Sequence, residues 1–170
     1  TSLSGGALPL GDAVLLVLSK FSRILEIDIE DRLAVVQSGV ANLAISAAAE
    51  PHGLYYAPDP SSQIACSIGG NVAENSGGVH CLKYGLTTHN VLGVRLVTME
   101  GEIVDLGGRA FDSSGLDLLG VVVGSEGLLG VVTEVTVRGI KKRSLVEWVG
   151  HVCCSLAWAC CDWPGPLWQT

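Results

Sequence analysis

The sequence predicts an α+β domain, and three observations carry that prediction. Short runs in which apolar and polar residues alternate are typical of β-strands. One alanine-rich stretch instead has its apolar residues at helical spacing. Two glycine-rich segments interrupt the periodic runs. Hairpins combined with two or three helices favour mixed sheets flanked by helices.

The first half of the chain predicts two strands in a hairpin, a further strand and a helix. The apolar run Ala13–Leu18 predicts a short buried strand. Ile24–Asp28 and Leu33–Gln37 are separated by a charged turn, which favours an antiparallel hairpin. Ala41–Glu50 predicts a helix, and Pro51–Gly53 ends it.

The second half predicts two short helices and three strands. A short helix is expected across Gly70–Asn75. The runs Asn90–Thr98 and Glu102–Leu106 flank a two-residue turn and predict a second hairpin. Leu116–Val123 predicts a short helix that leads into the second glycine-rich segment. Gly130–Arg138 alternates clearly and predicts the last strand.

Composition limits the classes of function. A chain of 170 residues suffices for one domain with its own core. Hydrophobic residues make up 48% and charged residues 16%, so we expect surface intended for another domain or chain. A net charge of −7 argues against nucleic-acid binding. No apolar run reaches the length of a membrane span, and the opening residues lack a secretory signal and look like the middle of a loop.

Cysteine and tryptophan usage divides the chain into residues 1–143 and an atypical tail, residues 144–170. The tail holds four of the six cysteines and all four tryptophans without a helical or strand period, so we expect it to be foreign to the fold. Its adjacent cysteine pairs have poor spacing for zinc, and no metal site is predicted. Cys66 and Cys81 are expected to be buried, reduced thiols.

The two glycine-rich segments indicate a ligand. Pro58–Gly78 carries two Gly-Gly pairs, two asparagines and four serines, and Gly124–Gly130 repeats the theme. Such segments present backbone N–H groups and short hydroxyls with little side-chain bulk, which suits a phosphate or a flat heterocycle. Two of them favour a large, extended ligand that bears phosphates. The alternative is a pair of structural turns without a ligand. A Rossmann fingerprint is absent.

Together with Tyr84-Gly85, these segments resemble the FAD-binding domain of the vanillyl-alcohol oxidase / p-cresol methylhydroxylase superfamily. The resemblance covers about Thr1–Arg138 and is strongest to the glycolate oxidase and D-lactate dehydrogenase group. It implies an FAD-binding domain of the p-cresol methylhydroxylase type, incomplete at both ends, over residues 1–143. The FAD is expected to be bound non-covalently, because no histidine occurs in the opening loop and neither Cys66 nor Cys81 clearly aligns with an attachment position.

The resemblance assigns cofactor contacts to loops along the chain. The opening loop would wrap the pyrophosphate, the 58–78 segment would approach the isoalloxazine or ribityl part, and the 124–132 segment would follow the adenosine diphosphate. The implied cofactor-binding residues are Thr1, Ser2, Leu3, Ser4, Gly5, Gly6, Pro58, Asp59, Ser62, Ser67, Ile68, Gly69, Gly70, Asn71, Asn75, Ser76, Gly77, Gly78, Tyr84, Gly85, Gly124, Glu126, Gly127, Gly130, Val131 and Val132.

Several of these side chains have a structural alternative. Tyr84 either flanks the flavin or is a core aromatic residue. Glu126 is expected to accept a local hydrogen bond that fixes its turn. His80 and His89 are expected to be structural rather than proton shuttles beside the flavin.

The implied function is an FAD-dependent oxidoreductase that converts a 2-hydroxy acid, such as glycolate or D-lactate, to the 2-oxo acid. Electrons would pass to partner subunits or a quinone pool, and the protein would be cytoplasmic, with attachment to the membrane through partner subunits left open. The catalytic acid or base is unknown, because the substrate-binding cap of the family follows the FAD domain and this chain is expected to stop before it. The chain alone is therefore expected to be inactive. The alternative is a non-catalytic or defunct flavin-binding fragment without a substrate domain.

Overall fold

A computed structural model describes residues 8–110 and 115–141. Thr1–Gly6 and the 144–170 tail, for which the sequence made predictions, lie outside the described residues. The described elements in chain order are β1 (Ile24–Asp28), β2 (Leu33–Gln37), α1 (Asn42–Ala49), β3 (Leu54–Tyr55), α2 (Ile68–Glu74), α3 (Cys81–Tyr84), β4 (Val91–Val97), β5 (Ile103–Gly107), α4 (Leu118–Val122), β6 (Val131–Arg138) and β7 (Ile140–Lys141). Short 3₁₀ turns lie at Glu50–His52 and Thr87–His89.

An antiparallel five-stranded sheet forms the centre of the described fold, with strand order β1-β2-β6-β4-β5. Both predicted hairpins are confirmed: Asp28 pairs with Leu33 across the charged turn, and Val97 pairs with Ile103. Strand β6 is inserted between them and pairs with both β2 and β4. A separate two-stranded ribbon joins β3 to β7, two strands that the sequence did not predict.

The core lies between one face of the sheet and α2. Val36, Val135, Ile68 and Val72 are completely buried and belong to one hydrophobic cluster. Burying a side chain of this size contributes about 1.5–3 kcal/mol. Because α2 and the sheet share this core, the loops at both ends of α2 are held in fixed positions.

The opposite face of the sheet is polar. Arg95 on β4 donates to Asp105 on β5 at 2.7 Å and to Glu134 on β6 at 3.1 Å. The bond to Asp105 raises the pKa of the Arg95 guanidinium and lowers that of the Asp105 carboxyl. This arginine therefore connects three neighbouring strands on their exposed side.

The predicted strand Ala13–Leu18 is wrong. These residues are extended without strand pairing in the described structure, and Val14 is 94% exposed. An apolar run predicts burial, whereas a strand also needs a neighbour with free backbone groups. The segment instead passes beside the start of α1, where a Cβ on Gly39 would overlap the Leu18 carbonyl oxygen.

The predicted helix Gly70–Asn75 is confirmed, but α2 begins at Ile68. Ser67 is its N-cap, and the Ser67 hydroxyl accepts a hydrogen bond from the Gly70 N–H at 3.3 Å. Capping by Ser67 outweighs the low helix propensity of Gly69 and Gly70. The prediction had left Gly69 outside the helix and had placed Gly70 at its first position.

Candidate functional site

The first glycine-rich segment lies directly against the end of β2. The Gly69 N–H donates to the Ser38 carbonyl at 2.8 Å, and a Cβ on Gly69 would lie 2.8 Å from the Cβ of Ser38. No real Cβ makes such a contact without a shift of its neighbours. Glycine is therefore required at this position by close backbone packing, which brings α2 against the sheet.

The second glycine-rich segment closes over the other end of α2. The Gly124 N–H donates to the Val72 carbonyl at 2.8 Å, and the Glu126 N–H donates to the Ala73 carbonyl at 2.9 Å. Glu126 has a left-handed φ of 55°. Its carboxylate accepts no hydrogen bond from the described residues, so the prediction that this side chain fixes the turn is wrong. The turn is fixed through the backbone of Glu126.

The two segments meet at a cavity of about 280 Å³, here called the glycine cavity. Six predicted cofactor residues line it: Gly69, Gly70, Gly127, Gly130, Val131 and Val132. Sequence reasoning missed the remaining lining residues: Leu16, Leu18, Val72, Ala73, Val122 and Ser125. The apolar run that contains Leu16 and Leu18 was the available signal, but it had been interpreted as a strand.

Two buried polar groups lie close to the glycine cavity without lining it: Asn71 follows Gly69-Gly70, and Ser38 packs against Gly69. Asn71 is only 2% exposed, and its side-chain nitrogen donates to none of the described residues. The Ser38 hydroxyl is buried and likewise has no hydrogen-bond partner among them. Buried polar atoms are normally hydrogen-bonded, so these two groups leave hydrogen-bonding capacity unused near the cavity. The residues present therefore fit a polar cofactor.

A second group of predicted residues gathers elsewhere. Asp59 and Tyr84 line a larger cavity of about 790 Å³, here called the Asp59 cavity, which lies between α1, β3 and α3. Glu50, His80 and Lys83 also line it. Tyr56 also lines it, and burial raises the pKa of the Tyr56 phenol far above its usual value, so this residue stays neutral. The predicted site residues thus divide between two places.

Tyr84 is packed mainly among side chains. Its ring meets Tyr55 edge to face at 6.2 Å, and the Lys83 ammonium lies 5.0 Å from its centroid. Gly85 follows with a φ of 79°, and a Cβ there would press on the His89 ring. The His89 Nδ1 accepts from the Leu86 N–H at 3.1 Å, which confirms the structural role predicted for His89.

Other predicted contact residues hold the loops together. The Pro58 carbonyl accepts from the Asn42 side chain at 3.1 Å. The Asn75 side-chain oxygen accepts from the Thr88 N–H at 3.0 Å, and the Ser76 carbonyl accepts from the Thr87 hydroxyl at 2.7 Å. Together with Ser62, these residues line neither cavity, and their contact with the cofactor stays a prediction.

The fold and the glycine cavity define a nucleotide-cofactor domain of the α+β class. The FAD binding domain family matches residues 1–107, and the chain belongs to that family, with FAD as its cofactor. The superfamily resemblance and the α+β fold are confirmed. Non-covalent attachment stays a prediction.

Relatives with assigned names agree with this family. Glycolate oxidase subunit GlcD of Escherichia coli K12 is 65% identical over 142 residues, which are 84% of this chain and 28% of that protein. The Bacillus subtilis subunit of the same name is 46% identical over 143 residues, 84% of this chain and 30% of that protein. A D-lactate dehydrogenase of Anaerostipes hadrus is 43% identical over 141 residues, which are 82% of this chain and 30% of that protein. The chain thus spans less than a third of the length of these relatives.

A solved structure supports the same fold. Alkyldihydroxyacetonephosphate synthase superposes with a TM-score of 0.63 at 25% sequence identity, over 72% of this chain and 22% of that protein. Within the described ranges, none of the helices has the length and hydropathy of a membrane span.

Proposed function

We propose that this chain is the FAD-binding part of an oxidoreductase that converts a 2-hydroxy acid, glycolate or D-lactate, to the 2-oxo acid. The structural observation that carries the proposal is the meeting of both glycine-rich segments at one cavity. The choice of substrate class is supported by 65% identity to a glycolate oxidase subunit and 43% identity to a D-lactate dehydrogenase.

The residues proposed to hold FAD act mainly through their backbones. Gly69, Gly70, Gly127 and Gly130 leave room for a flat or phosphate-bearing group. Asn71 does not line the cavity, but its buried side-chain nitrogen follows Gly70 and is proposed as a further donor. Bound FAD supplies the acceptor for the hydride equivalent, and the protein supplies position and electrostatics. Leu16 and Leu18 would exclude water from one side of the cavity. Contacts from Thr1–Gly6 to the pyrophosphate belong to the same proposal.

The wider setting is also part of the proposal. Electrons would leave the reduced cofactor for partner subunits or a quinone, in the cytoplasm, with any attachment to the membrane made through those subunits. The name of the Escherichia coli relative, a subunit, supports an assembly. Residues 1–143 would form the cofactor domain, and residues 144–170 would add nothing to its fold.

The test measures flavin retention and then flavin reduction. The purified chain is incubated with FAD and desalted, and the visible absorbance of retained flavin is compared with the protein concentration. Glycolate, D-lactate and, as a stereochemical control, L-lactate are then added without oxygen. The expected result is an equimolar flavin that the chain alone leaves oxidised, and that glycolate or D-lactate bleaches when the chain is joined to the substrate-binding cap of its family. Retained flavin that no hydroxy acid bleaches in the joined protein would favour the non-catalytic alternative, and absence of retained flavin would contradict the proposal.

A further inference from the structure

One wall of the glycine cavity is attached to the C-terminal end of α2. Val72 and Ala73, in the last turn of that helix, line the cavity. Their carbonyls accept hydrogen bonds from the N–H groups of Gly124 and Glu126, at 2.8 and 2.9 Å respectively. Ser125, between these two donors, lines the same cavity. The position of the second glycine-rich segment therefore depends on the position of the end of α2.

The 3₁₀ turn Thr87–His89 holds the chain at the point where α2 ends. Asn75 is the C-cap of α2, with a left-handed φ of 49°, and its side-chain oxygen accepts from the Thr88 N–H at 3.0 Å. The carbonyl of the next residue, Ser76, accepts two hydrogen bonds from Thr87: one from the backbone N–H at 3.0 Å and one from the hydroxyl at 2.7 Å. These bonds join two segments that lie 11 to 13 positions apart in the sequence.

The same helix end also packs against the second glycine-rich segment. A Cβ on Gly124 would lie 3.4 Å from the Cβ of Asn75, which is van der Waals contact. Thr87 is completely buried and lines neither cavity. Any effect of the Thr87 hydroxyl on a ligand in the glycine cavity must therefore pass through the end of α2.

We propose that Thr87 and Asn75 are positioning residues for FAD: they fix the end of α2, and α2 in turn holds the second glycine-rich segment at the wall of the glycine cavity. This inference rests on the proposed binding of FAD in that cavity. A wall that is already in place binds its ligand without a further cost of ordering. If the end of α2 is released, Ser125 and Gly127 lose their fixed positions and must be ordered again when the cofactor binds.

The first test measures the FAD affinity of the full chain and compares two threonines that make the same kind of hydrogen bond. Thr87→Val removes the hydroxyl that donates to Ser76 and keeps the shape of the side chain. Thr133→Val is the matched control, because the Thr133 hydroxyl also donates to a backbone carbonyl, that of Arg95 at 3.1 Å, and Thr133 lines neither cavity. Thr87→Val should weaken FAD binding about three- to tenfold, the effect of one lost hydrogen bond. Thr87→Ser keeps the hydroxyl and should retain most of the affinity, whereas Thr133→Val should leave the affinity unchanged.

A second measurement follows the cavity wall directly, without FAD. Hydrogen exchange of the Gly124 and Glu126 amides reports how firmly the second glycine-rich segment is bound to α2. Both amides should exchange about three- to tenfold faster in Thr87→Val than in the wild type, and at the wild-type rate in Thr133→Val. Asn75→Gly should also accelerate both amides. It removes the side-chain oxygen, while glycine adopts the left-handed φ at the end of a helix without strain.

The outcomes separate this inference from the proposed function. If Thr87→Val loses stability but keeps its FAD affinity, or if both amides exchange at the wild-type rate, the positioning role is overturned while FAD binding stands. An equal loss of affinity in Thr133→Val would also overturn it, because the effect would then come from general stability. A folded wild-type chain that retains no FAD would overturn the proposed function and, with it, this inference. If Thr87→Val fails to fold, faster amide exchange in Asn75→Gly would support the role and unchanged exchange would overturn it.

Discussion

The two cavities are built in different ways. The glycine cavity is formed mostly by backbone and small apolar side chains, with two buried polar groups beside it. The Asp59 cavity is larger and is lined by Glu50, Asp59, His80 and Lys83 together with tyrosines. An added Cβ would collide with neighbouring atoms at Gly69 and Gly130 of the glycine cavity, whereas the long side chains of the Asp59 cavity can adjust. Substitutions should therefore have larger effects at the first than at the second.

The largest effect is expected from Gly69→Val. The new side chain would collide with Ser38 at the end of β2, so α2 must move away from the sheet. We expect loss of retained FAD and a decrease of about 1–3 kcal/mol in the free energy of unfolding, typical of overpacking. Flavin content after desalting and denaturant unfolding measure the two effects. Gly11→Val, where a Cβ meets nothing within 4 Å, is the control; an equal loss there would contradict the comparison.

Gly127→Ala separates backbone strain from collision. A Cβ at Gly127 meets no atom within 4 Å, but the φ of 79° is unfavourable for alanine. The expected cost is about 1–2 kcal/mol in unfolding free energy, with weaker FAD binding because the residue lines the glycine cavity. Gly108→Ala has equal space and no such φ, and its stability should be unchanged or slightly increased. If both variants had the same stability and FAD affinity, the left-handed backbone conformation at Gly127 would contribute to neither.

Asn71→Leu should weaken FAD binding without destabilising the chain that lacks FAD. Removing a buried amide whose nitrogen has no partner among the described residues should leave the chain without FAD as stable as before, or more stable. The same change should weaken FAD binding by about 1 kcal/mol or more if the cofactor is the missing partner. The measurement is the melting temperature with and without FAD. A variant that is destabilised without FAD and unaffected in affinity would show that Asn71 serves the fold alone.

The smallest effect is expected on the polar face of the sheet, away from both cavities. Asp105→Asn removes an exposed bond to Arg95, so only a slight decrease in melting temperature and no change in FAD affinity are expected. Because Arg95 lowers the pKa of Asp105 in the folded chain, the pair stabilises the fold above the unfolded pKa of an aspartate and loses this contribution as the pH falls through the folded pKa. The wild-type advantage should therefore disappear in acid. If the wild type remained more stable than Asp105→Asn in acid, the ion pair of Asp105 with Arg95 would not explain its higher stability.

Local sequence patterns predicted those parts of the fold in which neighbouring residues decide the structure. The hairpin of Ile24–Asp28 and Leu33–Gln37 has the predicted bounds, because two short strand-forming runs separated by a charged turn are a local signal. The register shift between Ile24 and Glu26 was not predicted. The run at residues 13–18 shows the limit of the same reasoning. It was predicted to be a buried strand, but it is unpaired and mostly exposed, because whether a strand finds a partner depends on the rest of the sheet.

The sequence by itself determined the α+β class, the two glycine-rich segments and the family to which they belong, because glycine requirements and strand periods are local properties of the chain. Only the tertiary structure decided that Gly69, Gly70, Gly127 and Gly130 share one cavity while Asp59 and Tyr84 line another. It also decided that His80 meets a carboxylate from a distant loop. These groupings depend on the packing of α2 between the sheet and the second segment, a contact between residues far apart in sequence that no local pattern encodes.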